Sequence, residues 1–133
     1  MEIGKKAPKF NSVTQNDVAV SSEDLLGQAV VLFFYPRDNT SGCTKEAIGF
    51  TEHRAAFEQL GVKILGVSKD STKSHTKFID KHDLGMDLLS DENGTMCEDF
   101  GVWKEKSMYG KTYFGIERST FCLLYTSPSP RDA

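Results

Sequence analysis

The chain of 133 residues contains three cysteines, and no two of them stand close together in the sequence. Cys43, Cys97 and Cys122 form no CxxC pair and no cluster with the spacing of metal ligands. We therefore predict neither a dithiol helix motif nor a metal, and no cofactor is expected. Widely spaced, unpaired thiols favour a reducing compartment, so the predicted localisation is cytoplasmic.

Long apolar segments and an excess of charge are also lacking. The longest apolar run, residues 29–35, is too short to cross a bilayer, and residues 1–6 lack the apolar core of a secretory signal. Lys plus Arg is 16 and Asp plus Glu is 19, giving a net charge of −3. This balance offers no electrostatic reason to expect nucleic acid or an anionic membrane as a partner. One soluble domain is predicted.

Apolar patterning predicts alternating strands and helices. Residues 29–35 form a continuous apolar run typical of a strand covered on both faces, and residues 62–67 predict a second strand. A helix is predicted between them at residues 43–60, ended by Gly61. Further predicted elements are a helix capped by Ser71 or Ser74 and running to about His82, a strand at residues 86–89, a turn at residues 91–94 with a short helix after it, and a strand at residues 119–124. The predicted class is α/β, with a mixed central sheet flanked by helices.

The same patterns predict purely structural positions for several other residues. The helix at residues 43–60 is expected to bury one face, formed by Ala47, Phe50, Phe57 and Leu60. The lysines within residues 69–73 and 104–111 are expected to face solvent, and Trp103 to be a core or rim aromatic. The three histidines, predicted at surface or helix positions, are His53, His75 and His82.

The most informative segment is FYPRDNTSGC at residues 34–43, which leaves the first strand and enters the helix. Cys43 stands at the predicted helix N-terminus, where unpaired backbone N–H groups and the helix dipole stabilise a thiolate. Thr40, three residues earlier, either turns its hydroxyl towards that thiolate or a bound oxygen, or simply caps the helix. Because Thr40 occupies the first position of a would-be CxxC, Cys43 cannot act as a dithiol. The segment predicts one reactive thiol.

Four segments together resemble a known family. Pro36-x-x-x-Thr40-x-x-Cys43 matches the PxxxTxxC signature of peroxiredoxins, and its surroundings resemble the bacterioferritin-comigratory, or peroxiredoxin Q, group. Three more segments agree in the family's order, namely GKKAPKF at residues 4–10, LSD at residues 89–91 and GIERSTF at residues 115–121. The resemblance implies a thioredoxin-like fold over residues 1–121 and thiol-dependent reduction of hydrogen peroxide and organic hydroperoxides.

The resemblance also implies roles for individual residues. Cys43 would be the peroxidatic nucleophile that becomes a sulfenic acid, and Thr40 would hydrogen-bond the peroxide and the thiolate. Pro36 would shield the pocket from water, and Arg118 would hold the thiolate and the polarised peroxide. Glu46 either orients a neighbouring arginine or favours the helix N-terminus. The implied partners are a peroxide and thioredoxin or another thiol reductant, and the implied state is often monomeric.

The chain departs from the family pattern at the resolving cysteine. Many members of the group carry it five residues after the first cysteine, where this chain has Ile48, and a second known location, residues 78–80, also lacks cysteine. Either an external thiol completes the cycle, which is the predicted one-cysteine mechanism, or Cys97 does. Otherwise Cys97 is a small packed thiol. The alternative function on the same fold is a non-enzymatic redox sensor.

A second departure is the end of the chain. From about residue 122 the sequence reads CLLYTSPSPRDA, and its Ser-Pro-Ser-Pro stretch neither continues a central strand nor enters a helix easily. The string resembles the translation of a sequencing adapter. We expect residues 122–133 to be a non-native tail and the family's last strand and helix to be missing, which leaves an inactive truncated fragment as a further alternative.

Overall fold

A computed structural model describes residues 8–124, and strands and helices alternate as predicted between residues 29 and 99. The strands are β1 (Asn11–Thr14), β2 (Ala19–Ser21), β3 (Ala29–Phe34), β4 (Val62–Ser68), β5 (Asp87–Ser90), β6 (Trp103–Met108), β7 (Lys111–Ile116) and β8 (Ser119–Leu124). The helices are a 3-10 helix (Ser22–Leu25), α1 (Ser41–Glu52), α2 (Arg54–Gln59), α3 (Thr72–His82) and α4 (Met96–Asp99).

The central sheet has six strands in the order β2-β1-β5-β4-β3-β8. Strands β3, β4 and β5 are parallel, whereas β8 is antiparallel to β3 and β1 is antiparallel to β5. The mixed sheet flanked by helices is therefore confirmed. Parallel strands β3 and β4 share one carboxyl edge, and the loops that leave this edge carry the residues of the candidate site.

Two hydrophobic cores lie on opposite faces of this sheet, because successive side chains of β3 point in opposite directions. The α1 core consists of Val31, Phe33, Tyr35, Cys43, Ala47, Ile64, Phe78, Leu84, Met86 and Leu88. The α4 core consists of Phe10, Leu25, Val30, Leu32, Phe34, Leu65, Val67, Leu89, Met96, Cys97, Val102, Ile116 and Leu123. The sheet thus separates Cys43 from Cys97.

The helix predicted at residues 43–60 is two helices in the structure. The chain turns at His53, which ends α1 and precedes α2, and its φ and ψ of −97° and 7° are not helical. Leu60 follows the end of α2 and is 77% exposed, so its predicted place on the buried face is wrong. Once the helix has ended, the side chain no longer follows the periodicity on which the prediction rested. Gly61, with a φ of +73°, ends the segment as expected.

Lys69 was predicted to face solvent, but in the structure it forms ion pairs. Its Nζ lies 2.7 Å from Glu98 Oε1 and 3.1 Å from Asp91 Oδ2, and 5.3 Å from the centre of the Trp103 ring. The partners come from α4, the turn before it and β6, all distant in sequence, so local charge patterning gave no sign of them. Trp103 is half-buried beside the α4 core, which agrees with a rim position.

The predicted strand at residues 119–124 is confirmed as β8. Cys122 pairs with Val31 in the β3–β8 register, and Leu123 is buried in the α4 core. The non-native origin expected for residues 122–133 stays a prediction, and residues 125–133, like residues 1–7, lie outside the described part of the chain. Among residues 8–124, no helix combines the length and the apolar character that a bilayer crossing needs.

Candidate active site

The first turn of α1 holds Cys43. Thr40 is the N-cap residue, in extended conformation, and its carbonyl accepts the first helical hydrogen bond from the amide of Thr44 at 2.8 Å. Helix geometry leaves the three amides between them, including that of Cys43, without an acceptor inside the helix. The side chain of Cys43 is only 1% exposed and packs in the α1 core. A buried sulfur thus lies at the positive end of a helix.

Arg118 reaches this sulfur from the other end of the chain. Its Nη2 donates to Cys43 Sγ at 3.2 Å, and its Nη1 donates to Glu46 Oε1 at 3.3 Å. Arg118 directly precedes β8, whose first residue, Ser119, pairs with Phe34 at the end of β3. The strand pairing therefore places the guanidinium beside the start of α1. Of the two roles left open for Glu46, the geometry supports orienting the arginine.

The charges of these groups are coupled. Partial burial lowers the pKa of Arg118, but the hydrogen bond and negative charge of Cys43, followed by those of Glu46, outweigh this and raise it above its usual value. Burial raises the pKa of Glu46, although Arg118 opposes that rise. A permanently charged guanidinium therefore faces the sulfur, whereas the carboxyl group beside it is held less firmly in its ionised form.

Gly42 makes the close approach of Arg118 possible. A Cβ atom at this position would lie 3.1 Å from Arg118 Nη2, closer than most real Cβ contacts. The guanidinium therefore rests on the bare backbone of the first helical turn. A side chain here would compete with it for space.

Thr40 and Pro36 frame the loop before the helix. The Thr40 hydroxyl donates to the carbonyl of Arg37 at 3.0 Å and makes no side-chain cap bond to α1. Its proton is engaged, so the oxygen is left with lone pairs that can accept a hydrogen bond. Thr40 and Pro36 are both exposed, and Pro36 begins the loop directly after Tyr35. The roles of Pro36 and Thr40 stay predictions.

A buried polar cluster, here called the Asp38 network, lies beneath this loop. It is centred on the carboxylate of Asp38, which accepts from Tyr35 Oη at 2.6 Å and from Ser74 Oγ at 2.8 Å. His75 Nδ1 lies 2.7 Å from the same carboxylate, and His75 is fully buried. His75 is on a helix, as one of the two predicted positions had it, and it is buried because α3 turns it into the protein.

Asp70 completes the network. Its Oδ2 accepts from the amide of Asp38 at 2.9 Å and from Ser68 Oγ at 2.7 Å. Ligand atoms of Asp38, Asp70 and His75 lie within 4.8 Å of one another, the arrangement of a possible metal site. These atoms already serve hydrogen-bond partners in the cluster, so they form a closed network and not an open ligand set. A signal existed in the sequence: Asp38 and Asp70 follow the carboxyl ends of neighbouring parallel strands.

Cys97 has a different environment at the start of α4. The carboxylate of Asp91 accepts from the amide of Met96 at 3.0 Å and from the amide of Cys97 at 2.8 Å. Burial and then the nearby charge of Asp91 raise the pKa of the Cys97 thiol far above its usual value. Cys97 is fully buried in the α4 core. These features fit the packed-thiol interpretation.

The fold and the site together define a class of protein. A mixed α/β sheet with an arginine-bonded cysteine at a helix N-terminus is typical of a thiol-dependent redox protein. The comparison with family models matches residues 3–124 to the AhpC/TSA family. The chain belongs to this family, and it is a peroxiredoxin, a thiol-dependent peroxidase.

Individual relatives support this assignment. A Coxiella burnetii protein named as a peroxiredoxin Bcp is 47% identical over 123 residues, covering 92% of this chain and 82% of the relative. Peroxiredoxin Bcp of Bacillus subtilis is 45% identical and is covered over 78% of its length, again by 92% of this chain. The solved structure of the Xanthomonas campestris bacterioferritin comigratory protein, described with its alkyl peroxide reduction activity, has a TM-score of 0.81 and 41% identity, with 86% of this chain and 73% of that chain covered. The thioredoxin-like fold and the resemblance to the peroxiredoxin Q group are confirmed.

Proposed function

We propose that this chain reduces hydrogen peroxide and organic hydroperoxides with Cys43 as the nucleophile and an external thiol as the reductant. The observation that carries the proposal is the 3.2 Å contact between Arg118 Nη2 and Cys43 Sγ at the open N-terminus of α1. The alkyl peroxide activity named for the Xanthomonas relative supports the inclusion of organic hydroperoxides.

In the first half of the cycle, the Cys43 thiolate attacks the nearer oxygen of the hydroperoxide. The S–O bond forms as the O–O bond breaks, and the electron pair of the O–O bond leaves on the distal oxygen. That oxygen takes up a proton and departs as water or an alcohol, while Cys43 is left as a sulfenic acid. The sulfur is oxidised by two electrons and the peroxide is reduced by two.

Arg118 and Thr40 share the task of holding the substrate. The guanidinium keeps its charge and has donors in a fixed fork, so it can bond the sulfur and an approaching peroxide oxygen at once. The Thr40 hydroxyl donates to Arg37. It is therefore proposed as the acceptor for the peroxide O–H, which aligns the O–O bond with the sulfur. Pro36, at the mouth of the loop, is proposed to limit the access of water.

In the second half of the cycle, one external thiol attacks the sulfenic acid, releases water and forms a mixed disulfide. A second thiol then frees Cys43 and leaves as a disulfide. Cys97 is a poor internal partner, because it belongs to the α4 core, across the sheet from the α1 core that contains Cys43. A disulfide needs Cα atoms within about 7 Å. Ile48, at the usual resolving position, packs against the α1 core.

The exposure of Thr40 leaves room for such a reductant at the loop. We propose thioredoxin or a similar dithiol protein for this role, a monomeric enzyme and a cytoplasmic setting. The three free cysteines support the last point, since reducing compartments preserve free thiols.

The test is rapid mixing of the reduced protein with hydrogen peroxide and cumene hydroperoxide, followed by steady-state turnover with thioredoxin, thioredoxin reductase and NADPH. We expect fast oxidation and sustained turnover in the wild type and in a Cys97→Ser, Cys122→Ser double variant. Oxidation without turnover under any thiol reductant would instead support the sensor function. Loss of turnover in the double variant, together with loss of an internal disulfide, would contradict the one-cysteine mechanism.

A further inference from the structure

The Asp38 network contains a buried acid–base pair, Asp38 and His75, with no assigned part in the reaction. We propose that Asp38 and His75 form a positioning pair, which fixes the loop that presents Thr40 and Cys43 to the peroxide. This inference rests on the proposed function, because it concerns how that site is held. Neither residue touches Cys43 in the structure, so both act through the loop.

The geometry requires the pair to hold two hydrogens. His75 Nε2 lies 3.0 Å from the carbonyl oxygen of Leu89, which can only accept, so Nε2 carries a hydrogen. His75 Nδ1 lies 2.7 Å from Asp38 Oδ2, and without a hydrogen between them two lone pairs would face each other. A second hydrogen therefore lies in this short contact, which is a hydrogen bond inside the protein.

The remaining donors around Asp38 are consistent with a carboxylate. The hydroxyls of Tyr35 and Ser74 both point to its oxygens. Burial, and then the charge of Asp38, raise the pKa of Tyr35 well above its usual value, so this hydroxyl keeps its proton and stays a donor. Three donors thus converge on one buried acid, and they come from the end of β3 and from α3.

The same network fixes the loop backbone. The amide of Asp38 donates to Asp70 Oδ2 at 2.9 Å, and the next residue, Asn39, has a φ of +61° with its Oδ1 3.0 Å from His82 Nε2. These anchors come from α3 and the turn before it. Arg118, by contrast, approaches Cys43 from β8 on the other side. The reacting sulfur therefore lies between two separate supports.

The position of this loop sets the alignment of Thr40 and Cys43 with Arg118. Asp38 precedes Thr40 by two residues and Cys43 by five, so a shift of the loop moves the acceptor hydroxyl and the helix N-terminus relative to Arg118. A misplacement of about 1 Å in a reacting group costs about 10²-fold in rate. Alkylation of Cys43 by iodoacetamide does not require a peroxide to be aligned by Thr40 and Arg118, so its rate should not fall in parallel; a loosened loop would, if anything, expose the buried sulfur.

The test compares the two reactions in Asp38→Ala, Asp38→Asn and His75→Asn variants. In Asp38→Ala we expect the rate constant for hydrogen peroxide to fall about 10- to 100-fold, while the iodoacetamide rate falls by less than about 3-fold. Asp38→Asn can still bond Tyr35 and His75, and should recover part of the peroxide rate. In a Thr40→Val background the loss caused by Asp38→Ala should be smaller, because the part that acts through the Thr40 hydroxyl is already gone.

The control for general destabilisation is Leu25→Ala, in the α4 core on the far face of the sheet, which should leave both rates within about 2-fold. Two results would overturn the proposal. One is an equal loss of rate in the peroxide and iodoacetamide reactions. The other is a double variant whose fold-loss in peroxide rate equals the product of the losses in Asp38→Ala and Thr40→Val. If Asp38→Ala does not fold, the ratio of the peroxide rate constant to the iodoacetamide rate constant is measured in Asp38→Asn and His75→Asn. A ratio unchanged from the wild type in both variants overturns the proposal. A wild type that does not react with peroxide would overturn the proposed function and not this inference alone.

Discussion

Cys43 and Cys97 stand in almost the same backbone setting and differ in nearly everything else. Each is buried in the first turn of a helix, Cys43 in α1 and Cys97 in α4. At α4 the carboxylate of Asp91 takes the first amides and places a negative charge beside the sulfur. At α1 no side chain caps the helix, and the cation of Arg118 faces the sulfur.

The difference shows that a helix N-terminus alone does not make a reactive thiol. The partial positive charge of the first backbone amides stabilises a thiolate only if no other anion already accepts their hydrogen bonds. At α4 the Asp91 carboxylate takes these amides, so this helix is well capped and the pKa of the Cys97 thiol is raised. No side chain caps the N-terminus of α1. Its first backbone amides therefore remain available to the sulfur and to a bound substrate.

The largest expected effect comes from removing each sulfur in turn. Cys43→Ser should lower the peroxide rate constant by more than about 10⁴-fold, because the nucleophile is lost. Cys97→Ser should stay within about 3-fold, because Cys97 lies on the far face of the sheet. Stopped-flow oxidation kinetics measure both. A comparable loss in the two variants would show that the sulfurs do not differ as described.

The second effect concerns the cation. Arg118→Met keeps much of the side-chain length but no charge, and should lower the peroxide rate constant about 10²- to 10³-fold, as when one preorganised donor is removed. Arg118→Lys should retain more activity, because it restores a point charge without the fork. Competition kinetics against a reference peroxidase provide the measurement. Equal rates for Met and Lys would mean that charge is not what distinguishes the α1 site.

The third effect is steric. Gly42→Ala would place its Cβ 3.1 Å from Arg118 Nη2, and should lower the peroxide rate about 3- to 10-fold by displacing the guanidinium. The same change should raise stability by about 0.5–1 kcal/mol, because alanine favours the helix. Gly49→Ala, with no atom within 4 Å of its Cβ, is the matched control and should stabilise without slowing the reaction. Thermal melts and peroxide kinetics on both variants check the separation.

The smallest effect tests the electrostatics of Cys97. Its folded-state pKa is raised above the reference value of 9.0, so the folded protein keeps this proton after the unfolded chain has lost it. Stability from this group is complete below pH 9 and falls as the pH rises above it, by about 1 kcal/mol per pH unit. Urea unfolding between pH 9.5 and 10.5 should therefore show a steeper loss in the wild type than in Cys97→Ser. Parallel slopes would contradict the raised pKa.

Local signals predicted a large part of the fold. The buried strands β3 and β4, the helix start near Cys43 and the final strand β8 are all visible as runs of apolar or capping residues. The break at His53 was missed because the sequence on both sides of it remains amphipathic. The ribbon of β6 and β7 was missed because its strands are largely exposed and rich in charged residues, and two-stranded pairing outside the main sheet leaves little periodic burial.

The site was predictable only in part. The position of Cys43 followed from local chemistry. Arg118 is separated from it by 75 residues and was proposed from family resemblance and from its place at the start of an apolar strand. The Asp38 network escaped prediction because its members come from β3, the following loop, the β4–α3 turn and α3. No local pattern tells that a histidine on a polar helix will be buried against a loop aspartate.

The pairing of β8 with β3 has a consequence for the folding of this enzyme. β8 is the outermost strand on its side of the described sheet, and β3 is its only neighbour there. A slip of one residue in this pairing would turn every side chain of β8 to the opposite face and carry Arg118 away from Cys43. Under the proposed function, the rate of the peroxide reaction therefore also reports the register of β8. A chain that has folded everywhere else but has paired this edge strand incorrectly would hold Cys43 without Arg118 beside it.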